Sequence, residues 1–351
     1  MSLNIPAPEK SGTPHIICDV GSYTITSTGK TYTKNHYNLP LDGDALAQAI
    51  RIHGYGIFTE YGEVIVEIHG NQHRGIGFNG VNTNLTRTIT WGANGPVRGI
   101  KIVGGDPEQE ARIGGVEVFN NAGDLLMRDL TIINPAESAC PMIVQQNAIV
   151  GRMRLYDLKF WPEDPNTYGG KGMKWNIRGH GLAAWDVRRV VFHPAEEHNA
   201  YVDNCQGNSY FIKCKGGNTR RTMLQVTNRT QSGPTGFGDI TVAGCESYDV
   251  EGSGGSDFTF AGIGEGTIWF INNKSFGGSS GSQGAFVAWS DAGHGLYLNE
   301  GGYTTGGLVI KNFEVVHPNA DRDHIALAGI ERAVIHQWNV SGNKTAIALN
   351  S

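Results

Sequence analysis

From about residue 60 onward the chain is cut into short alternating or β-branched apolar runs, each closed by Gly, Asn, Asp or Pro. Examples are "EVIVEIHG" (63–70), "GIKIVGG" (99–105), "LLMRDLTIINP" (125–135), "RMRLYDLKFW" (152–161), "TIWFINNKSF" (267–276) and "GLVIKNFEVVHP" (307–318). Runs of this length and period build strands, and no long stretch keeps the period of a helix. The chain holds 50 glycines in 351 residues, about twice the usual share of roughly 7%, which suits a chain with many turns. One helical candidate remains, "DGDALAQAIRI" at 42–52, where Asp42 or Asp44 can cap the first turn. Residues 1–59 therefore read as an N-terminal segment and cap, and 60–351 as one β domain.

There are too many runs for a simple sandwich, and their spacing is too uneven for a propeller. Several share one form, an apolar strand ending in Asn, His or Gly: "LTIINP", "VVFHPAE", "FINNKSF", "FEVVHPN". A stack of coils whose loops differ in length reads this way. Together with "GDLLMRDLTIINP" (123–135), these rungs and Asn-rich turns resemble the right-handed parallel β-helix proteins of the pectin-lyase-like superfamily. The resemblance implies an all-β fold, a right-handed parallel β-helix (solenoid) with a short N-terminal capping segment. Members are mostly polysaccharide lyases and glycoside hydrolases, with phage tailspikes and adhesins among the rest, so fold alone does not choose a function. "GHG" at 179–181 and 293–295 matches one part of the polygalacturonase-like pattern. The Asn-Thr-Asp, Asp-Asp and Arg-Ile-Lys elements that complete it are absent, as is the Trp-Ile-Asp-His of pectate lyases, and no catalytic residue is carried over.

Composition narrows the partners. The sequence pI is about 6.2 and no nucleic-acid module is present, so nucleic acid is not expected. No apolar stretch is long enough for a membrane span and the start has no apolar h-region. An extracellular or virion-associated location suits the resemblance better than a cytoplasmic one. The five cysteines lack zinc or disulfide spacing and read as small buried hydrophobes. No cofactor is expected. Calcium is the ion that "DPEQE" (106–110) and "PEDP" (162–165) would suit, although both read more simply as solvated loops. "GIGFNG" (75–80) precedes a strand and not a helix, which removes the N-terminus a pyrophosphate needs.

The chemistry concentrates in "EEHNAYVDN" (196–204) and the basic stretch after it. Between 171 and 229 ten basic side chains face four acidic ones, in a chain of formal charge −5, and such a region focuses anions. Alternation directs Ala200, Val202, Ile212, Cys214, Leu224 and Val226 inward, leaving Glu197, Asn199, Tyr201, Asp203, Lys213, Gln225 and Arg229 outside as one column across neighbouring strands. An acidic polysaccharide fits this column, with Trp175, Trp185 and Tyr248 offering faces for sugars. For β-elimination on a uronate, Arg229 with Arg221 or Lys213 would neutralise the carboxylate, His198 or Lys213 would be the base, and Tyr201 the acid. For hydrolysis, Glu197 and Asp203, or either of them with Glu246 or Asp249 from a later rung, would flank the bond. Elimination is placed slightly ahead because cations cluster with His and Tyr. The competing expectation is a noncatalytic carbohydrate-binding or structural module, such as part of a tailspike or adhesin. A homo-oligomer, a trimer in the tailspike case, would cover the last strand edge.

Overall fold

Two sheets, parallel apart from the N-terminal pairings, hold all the described strands of the computed structural model, and the chain passes alternately between them. The structure describes residues 12–19, 22–33, 46, 49–70, 76–78, 88–89, 99–105, 111–119, 124–135, 138–146, 152–181, 184–203, 205, 207–227, 237–251, 256–261, 266–277, 284–289, 307–316, 325–328, 330, 332–341 and 347–350. Among these, the large sheet has 17 strands and the second sheet 11.

A typical passage runs from Arg152–Pro162 in the large sheet to Trp175–Gly181 in the second. The next runs from Ala184–Arg188 to His198–Asp203, and the one after from Gly207–Ile212 and Lys215–Gly217 to Thr222–Thr227. Each strand pairs parallel with its counterpart one passage earlier. An all-β chain with long parallel sheets is thus established, and it is compatible with the expected β-helix.

The interior follows from the period of two. In the large sheet Val66, Ile102, Met127, Leu155, Val187, Phe211, Val242, Phe270 and Ile310 lie in register as one buried column. In the second sheet Val116, Met142, Ile177, Ala200, Leu224, Phe258, Phe286 and Ile325 form its counterpart. The two meet edge-to-face: Phe270 lies 4.9 Å from Phe258 and 4.7 Å from Phe286 between ring centroids. One carboxylate joins this interior. Asp257, fully buried, accepts hydrogen bonds of 2.6 Å from Ser247 and Ser275, which occupy neighbouring positions of the large sheet.

Along one corner of the large sheet the chain turns through left-handed residues that stack in register: Asp129, Asp157, Arg189, Lys213, Gly244, Asn272 and Asn312, with φ between 52° and 65°. Only Asp, Asn and Gly take this conformation readily, so Arg189 and Lys213 are held there by their neighbours. Their backbone N–H groups donate to the next strand, Arg189 to Ile212 O and Lys213 to Ala243 O, both at 2.8 Å.

At the N-terminal end His15–Asp19 pairs parallel with Val64–Ile68 and antiparallel with Ser22–Ile25, which pairs with Lys30–Thr33. The helical segment continues past the expected end at 52. A π-helical turn, Ile50–Gly54, runs into a helix at Tyr55–Tyr61 that ends on Gly62 at φ 76°. Ile50 and Ile57 are buried against the core, which holds the later turns in place. Residues 42–45 of the expected helix lie outside the described residues.

Candidate functional site

The outward side of the second sheet gathers much of the expected chemistry. Arg178, Tyr201, Gln225 and Thr259 lie in register on four successive strands, about 4.8 Å apart per step. Asp203 and Thr227 form the neighbouring pair, with the Thr227 hydroxyl donating to the Asp203 carboxylate. The ring of His198 lies 5.1 Å from that of Tyr201, centroid to centroid. Trp175, in register with His198, is half-buried and carries a cation on its ring from each side of the sequence: Lys174 Nζ at 4.6 Å and the Arg178 guanidinium at 4.7 Å. Lys174 also pairs with Glu197 at 3.1 Å.

This face is closed rather than wet. His198 is 3% exposed, Tyr201 7%, Asp203 2% and Gln225 8%. Glu117 lies in the same column as Arg178, two strands before it, and is also buried. Arg178 and Glu117 were not picked out as site residues from sequence, although the alternation Ile177, Arg178, Gly179 already directs Arg178 outward.

Several expected members are elsewhere. Lys213 is exposed at the left-handed corner of the large sheet, so it does not sit between Tyr201 and Gln225. A left-handed residue resets the alternation, which also leaves Phe211, and not Ile212, in the core. Asn199 points inside: its amide donates to His193 O at 2.9 Å and the residue is fully buried. Trp185 is a core side chain, 1% exposed, whose ring occupies the space that a Cβ on Gly179 would fill at 2.6 Å. The first glycine of the 179–181 match is thus needed for packing. Tyr248 is half-buried on the large sheet, and Arg221 is exposed ahead of its strand, its N–H donating to Glu197 O at 3.0 Å. Arg229 and the 293–295 match lie outside the described residues.

Glu197 precedes the strand His198–Asp203 and Asp203 ends it, so the strand between them spans about 16 Å at ~3.3 Å per residue. That is well beyond the roughly 5 to 9.5 Å of a glycosidase pair. All five cysteines are free and buried, and burial pushes the thiols of Cys140 and Cys205 up to about 12, so neither is a thiolate near neutral pH. Among the described residues no group of three or more His, Cys, Asp or Glu is placed to hold a metal ion, and no helix is long and apolar enough to cross a membrane.

Comparison with family models, with curated proteins and with solved structures finds no match.

Proposed function

We propose that the two sheets are faces of one right-handed parallel β-helix and that the protein cleaves an anionic, uronic-acid-containing polysaccharide by β-elimination. The observation that carries this reading is the in-register set Arg178, Tyr201 and Gln225, with the His198 ring against Tyr201. In this reading Arg178 pairs with the sugar carboxylate and makes the proton on the adjacent carbon acidic. His198 takes that proton, the glycosidic C–O bond breaks as a C=C bond forms, and Tyr201 protonates the leaving oxygen. Gln225 orients the ring, and Trp175, already a partner of two cations, forms the outer wall. Hydrolysis falls behind because Glu197 and Asp203 stand at opposite ends of one strand, and of the other expected partners Glu246 belongs to the large sheet and Asp249 directly follows its strand.

The test is incubation with a panel of uronic-acid polymers, following the ultraviolet absorbance of the conjugated unsaturated product. Tyr201→Phe and Arg178→Ala are each expected to reduce turnover at least about tenfold, with an unchanged melting transition. Arg229→Ala, from the sequence-based assignment, is expected to do the same. Full activity in Tyr201→Phe and Arg178→Ala moves the chemistry elsewhere, and new reducing ends without absorbance indicate hydrolysis.

The second reading is a noncatalytic carbohydrate-binding or structural module. What favours it is the low exposure of His198, Tyr201 and Asp203, since a polymer has to reach the groups that act on it. Retained binding with neither product decides for it.

A further inference from the structure

The outward face of the large sheet carries a second surface that the chemistry above does not use. Trp161 is 57% exposed, the most open of the large apolar side chains among the described residues. Lys159, two residues earlier on the same strand and so on the same face, is exposed as well. The cations that follow along this face are neutralised, Lys215 by Glu246 at 2.9 Å and Lys274 by Glu314 at 3.2 Å. No ion pair engages Lys159 among the described residues.

The neighbouring segment, bridged to this strand at Val191, supplies a floor and a brace. Val191, in register with Lys159, is 45% exposed. His193, two residues on, meets the Trp161 ring edge-on at 4.9 Å and 77°. His193 is itself anchored, its N–H donating to Asn176 Oδ1 at 2.8 Å and its Nδ1 lying 3.0 Å from Pro194 O. The indole is therefore presented to solvent from a fixed support.

Continuing the register, the column reaches Gly217, Tyr248 and Phe276. The Tyr248 and Phe276 rings stack within 15° of parallel, with centroids 6.5 Å apart. Between the aromatic pairs Gly217 lets its backbone pass close to the next strand, since a Cβ there would fall 1.8 Å from Tyr248 O.

We propose that this stripe is a sugar-binding platform for an acidic polysaccharide: a pyranose ring lies on Trp161, its carboxylate meets Lys159, and Tyr248 with Phe276 receive sugars further along. A hydrated indole gains by covering its face with the C–H face of a sugar, whereas a protein partner would need a far larger apolar area than this narrow stripe. The uncompensated cation selects an acidic sugar over a neutral one. The ligand class rests on the polysaccharide reading above, but the location and residues are independent of the chemistry proposed there.

Isothermal titration of the full chain with oligogalacturonate, and with a neutral galactan oligomer as control, tests the platform. Trp161→Ala is expected to weaken oligogalacturonate binding about tenfold or more, with an unchanged melting transition because the side chain is mostly in solvent. Lys159→Gln is expected to weaken the acidic oligomer only, by about three- to tenfold, and to flatten its salt dependence. Tyr201→Phe is expected to bind as the wild type does while losing turnover, so failure of the elimination reading leaves this result standing. Wild-type affinity in Trp161→Ala overturns the platform, and so does sedimentation showing that Trp161→Ala dissociates an oligomer, which makes the stripe a contact between copies. If the wild-type chain binds no uronate oligomer, both readings fall together.

Discussion

The two outward faces are built by the same rule, alternate residues of parallel strands turned away from a shared core, yet they end in opposite states. On the second sheet Tyr201, Asp203 and Gln225 are at most 8% exposed, while on the large sheet Trp161 is 57% exposed and Val191 45%. The closed face has to satisfy its polar atoms internally, as Thr227 does for Asp203. The open face leaves its charges to water and to each other, in the alternating series Lys215, Glu246, Lys274 and Glu314 on adjoining strands. Under the proposed function the division sets an order: a hydrated polymer meets the accessible face first, and reaches Tyr201 only where the closed face admits it.

The contrast predicts where substitutions hurt. The largest effect is expected at Gly217, on the floor of the open stripe, where φ is 149° and a Cβ would overlap the Tyr248 carbonyl. Gly217→Ala should cost about 4 kcal/mol or more, seen as a lower urea midpoint at unchanged slope. A near-normal midpoint would mean that the strand Lys215–Gly217 is not seated as described. Next comes the closed face. Thr227→Val removes the hydroxyl that donates to buried Asp203 at nearly constant volume, and should cost about 1 to 3 kcal/mol. Loss of less than a few tenths in the same titration would show that water already reaches this face, breaking the comparison.

The all-β character with long strand runs could be read from sequence because the apolar columns repeat the period of two, and the Tyr201–Gln225 neighbourhood came out of the same parity through Ala200, Val202, Leu224 and Val226. What could not be read was each reset of that parity. The left-handed corner is occupied by Gly244, Asn272 and Asn312, which announce a turn, but also by Arg189 and Lys213, which do not. Because Lys213 resets the parity, Cys214 beyond it keeps its inward place while before it Phe211, and not the expected Ile212, enters the core, and the cation expected in the column with Tyr201 lies on the other sheet. Trp185 and Asn199 failed for a related reason. Nothing in a large aromatic or a small amide tells which side of the sheet it takes until its partner, Gly179 or the His193 carbonyl, is known. The openness of the Trp161 stripe was equally hidden, since exposure depends on which loops fold back over a face.

A smaller effect separates the faces by pH. Burial holds the His193 imidazole below its free value of 6.5, against the opposing pull of carbonyl bonds from Pro194 and Lys171. His53 is lowered too, by burial first and then by the charge of Lys30. Because the unfolded chain takes up these protons first, the stability present above pH 6.5 should decline as pH falls from there toward the depressed folded values. His193→Gln should remove part of that decline and loosen Trp161 without altering the pH 7 melting transition much. An unchanged pH slope in this variant would assign the decline to other groups.

The smallest effect is expected from the ion series beside the stripe. Glu246 lies between Lys215 and Lys274 in register, and its carboxylate is bonded to Lys215, which burial hardly touches and whose pKa is raised by that hydrogen bond and by the charge. With side chains 50% and 29% exposed, solvent and salt screen most of the attraction. Glu246→Gln should therefore leave the urea midpoint almost unmoved, and less moved again at high salt. Its consequence for binding has the opposite sign, because it frees Lys215 beside Gly217 and extends the positive charge that Lys159 offers at the far end of the stripe. Oligogalacturonate affinity should rise modestly in low salt, while the neutral oligomer is unaffected. Should affinity fall instead, Glu246 itself contacts the sugar, and the stripe reads hydroxyl groups and not charge.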